Sequence, residues 1–188
     1  CALPICLADM MHYMNTLGKT YGKNIIFVAL DAKEKNSAGA EKLWDRINYG
    51  MIDDPVTGRT ITKDRIHAMV NLDILGSSLS PLKSGRKDFL IMLSDPLFRS
   101  SLATANNNPR LRLELAFDYY GSRDFTRIFF RRIGDQKVFL DNGIRSVVFT
   151  SGITTNTNKR EDLPSSLDYP VLRKRIILIY YWLAGECS

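Results

Sequence analysis

The apolar positions of this chain switch between two periods. Leu7, Met10, Met11, Met14 and Leu17 recur at helical spacing, and Gly18 follows them as a C-cap. Residues 25–30 (IIFVAL) then form a continuous apolar run, whose length and β-branched content predict a strand buried on both faces. Ala40, Leu43, Trp44 and Ile47 signal a second helix, and residues 48–62, with Gly50, Pro55 and Gly58, read as a loop. Residues 66–72 (IHAMVNL) predict a second central strand ending at Asp73, and residues 89–93 a further short one. Asp95-Pro96 opens a helix with proline in its first position, where the missing N–H has no partner to lose. Leu111, Leu113 and Leu115 alternate with Arg112 and Glu114, as in a strand with one wet face. Residues 146–150 (SVVFT) predict another buried strand. Leu172, Ile176, Ile179, Tyr180 and Leu183 then line one face of a last helix, with Gly185 after it. Strands alternating with helices, without repeat or linker, predict a single α/β domain over residues 1–188, with three αβα layers around a mostly parallel, mixed central sheet.

Composition narrows the class. With 45% hydrophobic and 24% charged residues the chain is of globular type, and 188 residues suffice to bury roughly two-thirds of the unfolded surface. Its longest apolar run, residues 176–184, is half the roughly twenty residues of a bilayer span, so no transmembrane segment is expected. A net charge of +6 permits an anionic partner. No RNP, zinc-finger or helix-turn-helix pattern accompanies that charge, and no nucleic-acid partner is expected. The three cysteines, Cys1, Cys6 and Cys187, have no CxxC spacing, which leaves neither a zinc knuckle nor a disulfide framework.

Sites in such sheets form at the carboxyl ends of strands. Asp31, Lys33 and Glu34 follow the first predicted strand, Asp73 the second, and Asp135 precedes the segment leading into SVVFT. Carboxylates at adjacent strand ends can converge on a cation, although the same residues also cap helices and turns.

These segments carry a resemblance. FVALDAKEKNSAGA is similar to the strand and Asp-Gly-Glu-Glu turn of the co-catalytic zinc aminopeptidase family, which includes glutaminyl cyclase. AMVNLDILG resembles its Asn-x-Asp-Met-Ile-Gly motif, and GDQKVFLDNGIRSVVFTSG its Ser-Asp-His…Phe…Gly-Ile-Pro segment. TNTNKREDLPSSLDY resembles the closing Asp-Tyr-His…Asp-Thr…Ile-Asp stretch. The four segments occur in family order, and on this likeness the chain corresponds to about the last two-thirds of the family domain, its N-terminal strands missing. Either these strands are absent or they belong to a longer precursor; if they are absent, an exposed sheet edge, and a homodimer formed through it, are expected consequences.

Carried over residue by residue, the resemblance implies a lost metal centre. The general-base position is Lys33; the glutamate and aspartate zinc ligands are kept as Glu34 and Asp73. The histidine of Ser-Asp-His becomes Gln136 behind Asp135, the terminal histidine ligand falls on Asn158, and Arg145 replaces the proline of Gly-Ile-Pro. The metal-bridging aspartate falls in residues 2–6, which hold no carboxylate, and the first histidine ligand has no counterpart after Cys1. His12 and His67 are expected to be surface or packing residues. Catalytic zinc takes at least three protein ligands plus water, and two carboxylates fall short of that. A lysine, with an ordinary pKa of about 10.4, is cationic at neutral pH and cannot act as the base. An ion-pair cluster of Lys33 with Glu34 and Asp73 is therefore expected in place of the metal, with no cofactor. Basic residues near the former site, Arg131, Arg132, Lys137, Arg145, Lys159 and Arg160, would give an anion-binding cleft for a peptide or similar ligand if they converge.

The resemblance thus implies a catalytically inactive, zinc-peptidase-like binding or scaffolding domain, secreted or periplasmic as such family members often are. The alternatives are a metal-dependent aminopeptidase with an atypical or externally completed zinc site, and an acyltransferase like glutaminyl cyclase, which needs the same glutamate base.

Overall fold

The run Phe89–Ser94 lies at the centre of the computed structural model, which describes residues 2–55, 57–77, 81–153 and 159–188. All six of its residues are buried, as a continuous apolar sequence requires of a strand covered on both faces. The sheet contains β1 (Met69–Leu72), β2 (Phe89–Ser94), β3 (Glu114–Ala116) and β4 (Ser146–Thr150) in the order β1-β4-β2-β3. β1 runs parallel to β4 and β2 parallel to β3, while the central β2–β4 pair is antiparallel, so the sheet is mixed and mostly parallel.

Helices cover both faces. On one side α1 (Ala2–Thr16), α3 (Arg99–Ala105) and α6 (Tyr169–Glu186) pack on Leu90, Met92, Val147 and Phe149. On the other, α4 (Arg123–Arg131) brings Phe130 against Phe89, Ile91, Leu93 and Val148. There too α2 (Ala38–Asn48) and α5 (Gln136–Asp141) meet through Trp44 and Phe139, whose rings stand edge-on at 5.8 Å. Successive strand residues thus feed opposite cores, the period-2 logic of a pleated strand, and the result is a three-layer αβα domain.

The last helix owes its position to one buried cation as well as to its apolar face. Arg175 is 1% exposed, lies over the Phe89 ring, and donates Nε to the Phe89 carbonyl and a terminal nitrogen to the Leu75 carbonyl, both at 2.7 Å. Burial pulls its pKa down to about 10, partly offset by the charge of Asp168. The Gly18 cap also forms: it adopts a left-handed φ of 85°, and Lys19 N–H returns to the Met14 carbonyl at 3.1 Å.

Several expected elements are corrected. Residues 25–30 do not join the sheet; Ile26, Phe27 and Val28 are 58%, 37% and 42% exposed. The reason lies in its two ends. Ile25 packs into the α1/α6 cluster and Leu30 into the α2/α5 cluster, so the segment crosses from one face of the sheet to the other instead of running beside β1. The second strand begins only at Met69, after a single 3-10 turn, Lys63–Arg65. Leu111 and Leu113 are buried ahead of β3, which begins at Glu114, and Asn106 rather than a strand partner pairs both backbone groups of Leu113. α6 continues through Gly185 to Glu186. Asp95-Pro96 opens a 3-10 turn that leads into α3. Helices α4 and α5 were not signalled; Ser122 caps the first, accepting from Phe125 N–H at 3.3 Å.

Candidate functional site

Lys33 reaches Asp73 through two unusual pieces of backbone. The turn after residues 25–30 places Ala32, Asn36 and Ser37 at φ of 54°, 55° and 56°. Ala32 stands where the resembled turn has glycine, the residue that enters this region without a steric penalty. Bonds from Lys35 N–H to the Ala32 carbonyl and from Ser37 N–H to the Lys33 carbonyl, both 3.0 Å, close the turn. On the opposing side Ile74, directly after Asp73, has φ 50°, an outlier for a β-branched residue. Its carbonyl is pinned by Ser151 N–H and Ser151 Oγ, each at 2.8 Å, which holds the Asp73 loop against the end of β4. Strain of this kind persists only where its surroundings over-determine it.

Between these loops Lys33 Nζ donates to Asp73 Oδ2 at 2.6 Å, with the side chains 36% and 30% exposed. Glu34 is exposed and joins no ion pair among the described residues, so the expected three-residue cluster is a Lys33–Asp73 pair.

Gln136 shares a small cleft with Asp73. Tyr119, Phe129, Thr150 and Ile153 also line it, and its free volume of about 20 Å³ is room for roughly one water molecule. Gln136 is 1% exposed and its amide is fully used. Oε1 accepts from Asn71 Nδ2 at 2.8 Å, while Nε2 donates to the carbonyls of Ile133, Phe129 and Phe130 at 2.5, 2.8 and 3.3 Å. The side chain ties β1 to the α4–α5 turn. Asp135 beside it is buried, and its Oδ1 has no hydrogen-bond partner. Tyr119 stacks on Phe129 at 4.1 Å and its hydroxyl accepts from Ile153 N–H at 3.1 Å. Burial pushes this phenol up; the Ile153 hydrogen bond pulls it back, and the charges of Tyr120 and Asp73 add to the rise.

The remaining expected residues scatter. Arg145 is exposed at the start of β4, where its carbonyl accepts from Met69 N–H at 2.9 Å. Thr150, at the other end of that strand, lines the Asp73 cleft, so roughly 15 Å of strand separates Arg145 from the site. Lys137 pairs with Asp141 at 2.7 Å on the surface, and Arg132, Lys159 and Arg160 are exposed. Arg131 lines a separate cleft beside Arg99, Arg123 and Arg127, three arginines that no motif had singled out. The six basic residues therefore do not converge on one cleft. His12 is exposed, and His67 lies 3.9 Å from Glu186 at the surface. Asn158 lies outside the described residues.

The donors present do not fit zinc. Asp73 is held by an ammonium, Glu34 is turned to solvent, the Gln136 amide is spent on carbonyls and Asn71, and among the described residues no three His, Cys, Asp or Glu side chains come together. What the arrangement can do is bind and brace: an ammonium, a carboxylate and a neutral phenol at the rim of a nearly filled cleft. No protein-family model matches the chain, and no curated protein matches it.

Proposed function

We propose that this chain is a catalytically inactive, zinc-peptidase-like binding or scaffolding domain, a degenerate member of the co-catalytic zinc aminopeptidase family. The observation that carries the proposal is the 2.6 Å contact from Lys33 Nζ to Asp73 Oδ2. On the resemblance, Lys33 stands at the base position and Asp73 at a ligand position. An ammonium is a three-fold donor with no acceptor, so it cannot take a proton from water, and it neutralises the carboxylate a divalent ion would need. The neighbouring cleft supports the same view, because a space of about 20 Å³ holds no peptide. A peptide or other anionic ligand would have to bind elsewhere on the surface. A shared frame does not by itself fix chemistry, so the proposal rests on the site and not on the αβα layers.

The test is metal analysis of protein purified without chelators, together with hydrolysis of aminoacyl-p-nitroanilides in added zinc or cobalt. Less than a tenth of a zinc per chain and no turnover are expected. Near-stoichiometric zinc with hydrolysis would make the chain a metal-dependent aminopeptidase and end the proposal. Lys33→Glu combined with Asn158→His should raise zinc affinity; no gain would mean that the correspondence of residues is misaligned.

A further inference from the structure

A second, larger cleft lies between α4 and the start of α3, just beyond the carboxyl ends of β2 and β3. Its volume is about 420 Å³, within the range of small-molecule sites. One wall is a single face of α4. Arg123, Arg127 and Arg131 follow one another at four-residue steps, about 6 Å of helix rise each, with Thr126 and Phe130 between them on that face. The other wall is Arg99, at the start of α3, and Phe117, just after β3.

The guanidinium of Arg99 sits 5.5 Å from the centre of the Phe117 ring, and that of Arg131 sits 5.5 Å from the Phe130 ring. The rings orient these cations without neutralising them. Arg99 Nε is closed off from solvent and has no hydrogen-bond acceptor. Among the described residues Arg99, Arg123 and Arg131 make no ion pair; Arg127 makes one, to Asp124 at 3.4 Å, between two largely exposed side chains. The one carboxylate in the cleft, Asp118, already accepts from Gly121 N–H at 2.5 Å. Four guanidinium groups therefore face a single acid, and one of them holds a buried donor without a partner.

We infer that this cleft binds a small ligand carrying two or more phosphoryl groups. Guanidinium forks match phosphate oxygens in pairs. A ladder of three arginines over about 12 Å of helix suits anionic groups a few ångströms apart better than one carboxylate. Its short length favours a small molecule over a nucleic-acid strand. The inference is independent of the Lys33–Asp73 site and would stand if that site proved to hold metal.

The experiment is calorimetric titration of the full chain with tripolyphosphate at low and moderate salt. Measurable binding is expected, weakening as salt rises, and falling by about tenfold or more in Arg123→Gln and in Arg131→Gln, since each removes charged hydrogen bonds. Arg99→Lys, which keeps the charge but removes the fork, should also weaken it, whereas Lys87→Gln, an exposed cation at the amino end of β2, should not. Thermal unfolding of each variant separates lost binding from lost folding. Four results would overturn the inference: no binding, equal weakening by Lys87→Gln, equally tight binding of citrate, or tighter binding of a short single-stranded oligonucleotide at the same arginines.

Discussion

Replacing Gln136 by methionine tests whether this position braces the fold or is idle in it. Methionine keeps most of the side-chain volume but can make none of the four hydrogen bonds. Two of the acceptors, the Ile133 and Phe129 carbonyls at 2.5 and 2.8 Å, lose a strong donor, and Asn71 Nδ2 loses its 2.8 Å acceptor; the Phe130 contact at 3.3 Å is weaker. A buried polar group left without a partner costs about 1–3 kcal/mol, with carbonyls at the lower end because they retain a second lone pair. Three such losses, relieved in part by local movement, come to about 3–4 kcal/mol. Urea unfolding followed by tryptophan fluorescence measures it, with Trp44 packed on Phe139 of the same helix as the mutated residue. The midpoint should drop with an unchanged slope. A loss below about 1 kcal/mol would refute the bracing role. Gln136→His, the resembled residue, should fare little better, because two ring nitrogens cannot replace one acceptor and three donations.

The remaining predictions concern the backbone and charges around this brace. A double-mutant cycle on Lys33→Met and Asp73→Asn should give a coupling of about 1 kcal/mol, between the values for exposed and buried pairs; zero coupling would remove the pair from the account. Ala32→Gly should stabilise the fold by about 0.5–1 kcal/mol, relief of the left-handed penalty exceeding the added chain entropy, and thermal unfolding would show it. Asp88 is held low by Arg86, opposed by burial and helped by Lys174 on α6, at 3.1 and 3.0 Å. Its contribution is complete above the ordinary carboxylate value of about 4 and disappears as pH falls through its lowered pKa; the acid limb of a stability–pH curve should flatten in Asp88→Asn. Gly39→Ala would set a Cβ 2.5 Å from the Asp31 carbonyl, so the Lys33–Asp73 coupling should shrink in that background when the cycle is repeated.

Sequence patterns located the parts of the fold that a single period defines. The continuous runs of β2 and β4 are buried along their whole length, and the helical repeats of α2 and α6 match their elements; the repeat of α1 holds through Met14, whereas Leu17 lies past the helix and is exposed. Residues 25–30 have the same composition as those strands and yet stay out of the sheet. Hydrophobicity reports burial demand, and here it is met only at Ile25 and Leu30, on opposite faces; nothing local encodes whether a neighbouring edge lies alongside. Asp73 was legible as the residue that ends the run of β1, and in the structure it shares one cleft with Gln136. Glu34 was not, because the direction of a side chain in a turn depends on dihedrals that composition does not reveal. The arginines of α4 carried a readable signal in their four-residue spacing, but the helix itself is short and its apolar residues are grouped rather than spaced evenly.

The absence of pairing by residues 25–30 raises the question of what aims Lys33. Sheet hydrogen bonds cannot do it, so the position must come from the helix that follows. Gly39 lies so close to Asp31 that only a missing Cβ allows the contact, which fastens the turn to the first residues of α2. α2 is in turn fixed through Ala40, Trp44 and Ile47 to Val138 and Phe139 of α5, and α5 begins with Gln136, the residue bound to Asn71 on β1. Asp73 lies two residues beyond Asn71. The ion pair therefore closes a loop of contacts running from β1 through Gln136, α5 and α2 back to Lys33. Within such a ring a change at Gln136 and a change at Gly39 should both be felt at Asp73, although neither residue touches the ammonium, whereas a change at Arg145, on the far end of β4, should not.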